Sequence, residues 1–169
     1  ARNLASKQNR LIGLILSGIK DTDSYGNIIF RLFMGAKAAC EEHGYELAII
    51  STNKARQAQK PLRDLCREQM IGAYIIYGLA MSDPYYTQVM ESEIPAVAID
   101  VDILALESNQ PHNPFCSVVT IDNHAAVDEI IEILVNRGHR NIGFINGLVD
   151  AEISIIRERA FIKALEKRN

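Results

Sequence analysis

Hydrophobic positions fall along the chain in two alternating patterns. Short apolar runs without polar alternation occupy 11–16 (LIGLIL), 46–51 (ELAIIS), 73–77 (AYIIY), 96–100 (AVAID), 117–121 (SVVTI) and 141–145 (NIGFI). Runs of that kind read as strands buried on both faces of a parallel sheet. Between them the apolar residues recur at three- and four-residue spacing, as on one face of a helix. Ile28, Ile29, Leu32, Phe33, Ala36, Ala39 and Cys40 mark a first helix, with Gly44 as its C-terminal stop. Ala58, Leu62 and Leu65 mark a second, in which Pro61 fits only within the first turn. Ser82-Asp83-Pro84 opens a third with a capping side chain and Pro at its first position. Asp122 caps a helix carrying Val127, Ile130, Ile131, Leu134 and Val135, and Ile156, Ala160, Phe161, Ala164 and Leu165 give the last.

This alternation predicts an α/β fold, a doubly wound parallel sheet with helices on both faces. The sequence shows no internal repeat and no low-complexity segment. The run at 141–145 leaves two arrangements open. It either joins the first sheet in one flavodoxin-like domain or begins a second sheet, since a lone strand between helices cannot bury its faces. Composition alone favours the single domain.

A length of 169 residues allows one good core and at most a fraction of another. The balance of 48% hydrophobic and 23% charged residues is that of an ordinary globular domain, and a net charge of −3 argues against a surface that binds nucleic acid all over. Cys40, Cys66 and Cys116 are odd in number, far apart and without a C-x-x-C pair, so they read as buried reduced thiols of a reducing compartment. No apolar run is long enough to span a bilayer and the first residues lack a signal-peptide pattern, which sets the expected location as cytoplasmic, with no membrane partner.

Ligands of open parallel sheets bind beyond the carboxyl ends of the strands. Here those ends hold Ser17, Ser51, Thr52, Tyr77, Gly78, Asp100, Asp102, Asp122, Asn123, Asn146 and Gly147. Hydroxyls, amides and carboxylates without metal spacing suit a neutral polyhydroxylated ligand such as a sugar, although βα turns need capping residues of the same types. Arg157 lies just downstream of Asp150, on a helix whose N-terminus points at this rim, and its guanidinium offers a fixed fork of donors. The alternative is a solvated first-turn arginine, a placement the helix dipole mildly disfavours.

Enzyme signatures are missing. Ser17-Gly18-Ile19-Lys20 stands where a dinucleotide-binding glycine motif would follow the first strand, and there is neither a phosphate-binding G-x-x-x-x-G-K-[ST] loop nor a G-x-S-x-G elbow. The four histidines show no ligand spacing. The sequence therefore predicts no catalytic residue, no metal and no cofactor.

The first residues, ARNLASKQNR, combine a helical pattern with Arg2, Lys7 and Arg10 and carry no acidic group. A helix this short is marginal alone and would order only on a partner. DNA would suit it, with basic groups on phosphates and Leu4 as a minor-groove wedge. On physical grounds alone a frayed tail is the simpler reading.

The succession ARNLASKQNRLIGLIL, MGAKAACEEHGYELAI, IPAVAID, SVVTIDNHAA, NRGHRNIGFING and SIIRERAFIKAL resembles, in order and over essentially the whole chain, the LacI/GalR family of bacterial transcription regulators. The resemblance implies a periplasmic-binding-protein-like type I fold, with a hinge segment (1–9), an N-terminal effector-binding subdomain (10–122) and the beginning of a C-terminal subdomain (123–169). The run at 141–145 would then open the second subdomain, against the reading from composition. It further implies a sequence-specific DNA-binding regulator, a repressor by family habit, acting as a homodimer on operator DNA and sensing a small-molecule effector such as a sugar. Arg2, Leu4 and Lys7 would contact DNA through the hinge. Ser17, Ile28, Tyr77, Asp100 and Arg157 would line the effector cleft. Ile28 and Ile29 replace a frequent aromatic pair, and Tyr25 is placed to compensate. A periplasmic sugar-binding protein of an uptake system is the alternative of the same architecture, and it would carry no basic hinge.

Overall fold

The computed structural model describes residues 10–18, 26–101 and 113–168. Five strands form one parallel sheet in the order β2-β1-β3-β4-β5. They are β1 (Leu11–Ser17), β2 (Glu46–Thr52), β3 (Ile71–Tyr77), β4 (Ala96–Ile99) and β5 (Cys116–Val119). β1 pairs with β2 along its whole length, ending at Ser17 opposite Thr52, and with β3, where Leu16 stands opposite Tyr77. Tyr77 in turn stands opposite Ile99 of β4. Consecutive parallel strands need a crossover, and the helical patterns supply it.

Among the described residues six helices accompany the sheet: α1 (Gly26–Glu42), α2 (Lys54–Gln59), α3 (Leu62–Glu68), α4 (Pro84–Glu91), α5 (Asn123–Asn136) and α6 (Glu152–Glu166). The core lies between one sheet face and the helices α3 and α4. There Ile15, Tyr74, Ile76, Ala96 and Ala98 meet Leu62, Cys66, Tyr85 and Val89. Alternation along β3 sends Ala73 and Ile75 to the opposite face, where they border the C-terminal half of α1 through Ala36, Ala39 and Cys40. The predicted doubly wound arrangement is thus the observed one.

Gly44 stops α1 with φ 74°, and the Asp122 carboxylate caps α5 by accepting the Ala125 N–H at 2.9 Å. All three cysteines are buried free thiols. Burial pushes the Cys66 thiol up to about 11, which keeps it protonated and unreactive.

Three expectations need correction. The second helix is two: α2 ends at Gln59 with Lys60 as its C-cap, and Pro61, at φ −56° and ψ 146°, is the N-cap of α3. Proline has no N–H to continue a helix, so it restarts one, and Gln57, not Ala58, becomes the buried residue of α2. Asp83 precedes Pro84 as predicted, but its carboxylate makes no cap bond to α4 and turns to Ser17 instead. The run at 141–145 is not a strand among the described residues, because it pairs with neither edge of the sheet. A strand exists by its ladder. Here Phe144 stacks on Phe161 of α6 at 4.8 Å, while Ile145 is 98% exposed.

Candidate functional site

The carboxyl ends of the strands form a rim that α6 approaches with its first two turns. Asp100 follows β4 at φ 54°, a left-handed conformation that few residues other than glycine and asparagine adopt. Its backbone N–H is held by the Val119 carbonyl at 3.0 Å. Desolvation raises the Asp100 carboxyl above its ordinary value, and the nearby positive charge of Arg157 opposes that rise.

Arg157 is fixed from the other side. Its Nε–H donates to Asn123 Oδ1 at 2.7 Å. Asn123 is buried and donates its own amide to the Ile121 carbonyl at 3.0 Å. The guanidinium is thus oriented by one bond while the residue stays exposed to solvent. A cavity of about 310 Å³, lined by Thr120, Ile121, Asp122, Asn123, His124 and Ile156, adjoins this pair. Larger cavities lie elsewhere. One of about 610 Å³ sits between α3 and the end of α4 near Glu91 and Glu93, away from the strand-end rim. We place the site by its converging chemistry, not by volume.

Ser17 occupies the end of β1, as predicted, but its side chain is buried and fully engaged. The hydroxyl donates to Asp83 Oδ2 at 2.8 Å and accepts from Gln57 Nε2 at 2.8 Å. Asp83 also accepts the Ala80 N–H at 3.2 Å, and Gln57 Oε1 accepts the Tyr85 N–H at 3.2 Å. This network ties β1, α2 and α4 together beneath the rim. Gly78 completes the join. Its φ is 81°, and a Cβ there would lie 2.6 Å from the Ser17 carbonyl oxygen.

Tyr77 is half-buried at the end of β3, and Ile28 stands 57% exposed in the first turn of α1. The structure thus joins Asn123 to Arg157, sets the Arg157 charge near Asp100, and places Ser17 under the rim. Tyr25 and the hinge residues Arg2, Leu4 and Lys7 lie outside the described residues. Asn123 was among the strand-end residues read from sequence, but its hold on Arg157 was missed. The available signal was two polar residues, Asp122 and Asn123, at a strand end where one suffices as a cap.

Among the described residues no group of three or more His, Cys, Asp or Glu is arranged to hold a metal ion, and no helix is long and apolar enough to cross a membrane.

Comparison with known proteins agrees with this architecture. The chain is 25% identical over 169 residues to the HTH-type transcriptional regulator PtxS of Pseudomonas aeruginosa, covering 99% of this chain and 46% of that protein. It therefore spans just under half the length of that relative. Among solved structures it superposes on a cellobiose complex of the transcriptional regulator CelR with TM-score 0.76 at 19% identity, covering 94% of this chain and 46% of that one. A LacI family regulator, CCPA, from Weissella paramesenteroides with bound glucose gives TM-score 0.69 at 20% identity, covering 94% and 54%. These structures establish the likeness of fold. A family model described as periplasmic binding proteins and sugar binding domain of LacI family matches residues 9–168, and the chain belongs to that family.

Proposed function

We propose that this chain is the ligand-sensing part of a DNA-binding transcription regulator whose effector is a neutral sugar or sugar derivative. The observation that carries the reading is the Arg157 guanidinium, held by Asn123 at 2.7 Å, with its charge acting on the partly buried Asp100 carboxyl. A forked donor oriented before a ligand arrives, with a carboxylate acceptor near it, matches the paired hydroxyls of a polyol. Sugar complexes of structural relatives support the ligand class. The regulator names of the sequence relatives favour transcription control over an uptake protein. The reading assigns a binding role with no catalytic step, no metal and no cofactor.

In this reading residues 1–9 are the hinge, with Arg2, Leu4 and Lys7 on operator DNA, 10–122 the first subdomain and 123–169 the start of the second. Asp100, Asn123, Arg157 and Tyr77 contact the effector, with Ile28 and Tyr25 at its edge, and Ser17 holds the rim from below. Two half-sites on DNA call for a homodimer. The exposed Phe30 and Met34 of α1 offer part of its contact. Operator control places the protein in the cytoplasm. A thermal-shift screen of neutral sugars and sugar phosphates on the full-length protein tests the reading. A saturable rise in Tm with a neutral sugar supports it, and no rise with any of them contradicts the ligand class.

A further inference from the structure

The turn that leads into α6 is tied to the rim by groups the ligand site does not use. Lys54 Nζ donates to Ser82 Oγ at 2.8 Å, and the Ser82 hydroxyl donates to the Asp150 carboxylate. Beside them the Met81 N–H donates to the Asp150 carbonyl oxygen at 2.9 Å. Just beyond, the Tyr86 hydroxyl donates to Glu152 Oε2 at 3.3 Å. Lys54 opens α2, Ser82 lies in the β3–α4 loop and Tyr86 is on α4. These elements belong to the five-stranded unit, whereas Asp150 lies in the turn before α6 and Glu152 opens that helix.

We infer that Lys54, Ser82 and Asp150 form a clasp that sets the distance of Arg157 from Asp100, and so regulates ligand retention at that site. The ligand part rests on the function proposed above. The chemistry is directional. Ser82 has one proton, and a lysine ammonium on its oxygen commits that proton to the carboxylate, so the relay runs from positive to negative charge. The lever is short. Asp150 lies two residues before α6 and Arg157 five residues after its first residue, Glu152, so at about 1.5 Å of rise per residue the turn and the guanidinium are separated by less than two helical turns of α6. Lys54 and Ser82 are exposed, and water competes for their bonds. A clasp so placed opens at low cost, unlike the buried Ser17–Asp83–Gln57 network below it.

Hydrogen–deuterium exchange of the full-length protein tests the clasp without any ligand. Ser82→Ala and Asp150→Ala should each raise amide exchange across 148–156 by about two- to fivefold, the scale of an exposed charged pair. The double variant should exchange no faster than either single one, and Lys54→Met should give a smaller rise. Exchange in β1 should stay constant. The same variants should weaken binding of glucose or cellobiose, used as probes, by a similar factor. Unchanged exchange, additive effects in the double variant, or a uniform rise that includes β1 would overturn the clasp. If exchange behaves as stated but neither the wild type nor any variant binds a sugar, the ligand reading fails and the clasp stands. If exchange is flat while Arg157→Ala alone abolishes sugar binding, the clasp fails and the ligand reading stands.

Discussion

Asp100 stands at a position that disfavours its charged form. Its carboxyl is raised by desolvation, more than Arg157 lowers it. A carboxylate whose folded value exceeds its unfolded one destabilises the fold once pH rises above the unfolded value, about pH 4 for an aspartate. Asp100→Asn should therefore melt higher than the wild type at pH 7, with the advantage vanishing below about pH 4 by differential scanning calorimetry. The same variant should bind sugar more weakly, the exchange of stability for function expected at a binding site. A lower Tm at pH 7 would contradict this reading of Asp100. Gly78 makes the opposite kind of demand. A methyl group at φ 81° and 2.6 Å from the Ser17 carbonyl must push β1 and β3 apart. Gly78→Ala should cost at least about 2 kcal/mol in urea unfolding.

At the scale of elements, α5 and α6 are joined by charge as well as by packing. Arg168 donates to the Asp128 carboxylate and, at 3.2 Å, to Glu132, while Lys167 reaches Asp128 at 3.3 Å. The hydrogen bonds from Arg168, first among the causes, hold the Asp128 carboxyl down to about 2. A depressed carboxylate stabilises the fold above its unfolded value, and that gain is lost as pH falls from about 4 toward 2. Wild-type Tm should drop more steeply over that window than the Tm of Asp128→Asn, and parallel curves would remove the pair from the stability of the helix hairpin. Elements whose signal is local were legible in the sequence. The run 11–16, the Asp122 cap and the Gly44 stop all carry their own chemistry, and each stands where its residues indicate. The break at Pro61 was legible as a position but not as an end, because Leu62 continues the apolar spacing across it. The run at 141–145 has strand composition, yet pairing is not local and no neighbour takes it up among the described residues. Asp83 shows the same limit. A capping residue before Pro84 is a sound local inference, but Ser17, 66 residues away, competes for the carboxylate and wins.

At the scale of the whole molecule, the candidate site is assembled from parts that lie up to 57 residues apart in the sequence, from Asp100 to Arg157. Their presence on strand ends was legible, since a parallel sheet gathers its carboxyl ends on one side. The hold of Asn123 on Arg157 was not, because it depends on how α6 returns to the rim. The family supplies what the five-stranded unit cannot show by itself, namely why such a rim would matter to a longer protein. If the rim is a sensor, ligand must change something remote. Coupling between two sites in one protein amounts to about 5- to 150-fold in affinity. The most direct test of the proposed function is the affinity of the full-length protein for operator DNA, followed by fluorescence anisotropy with and without the sugar that raises its Tm, in wild type and in Arg157→Ala. The account predicts that sugar changes wild-type operator affinity by about tenfold or more and leaves that of Arg157→Ala unchanged. A wild type that binds the sugar while its operator affinity stays constant, or an Arg157→Ala protein that responds as the wild type does, would contradict it.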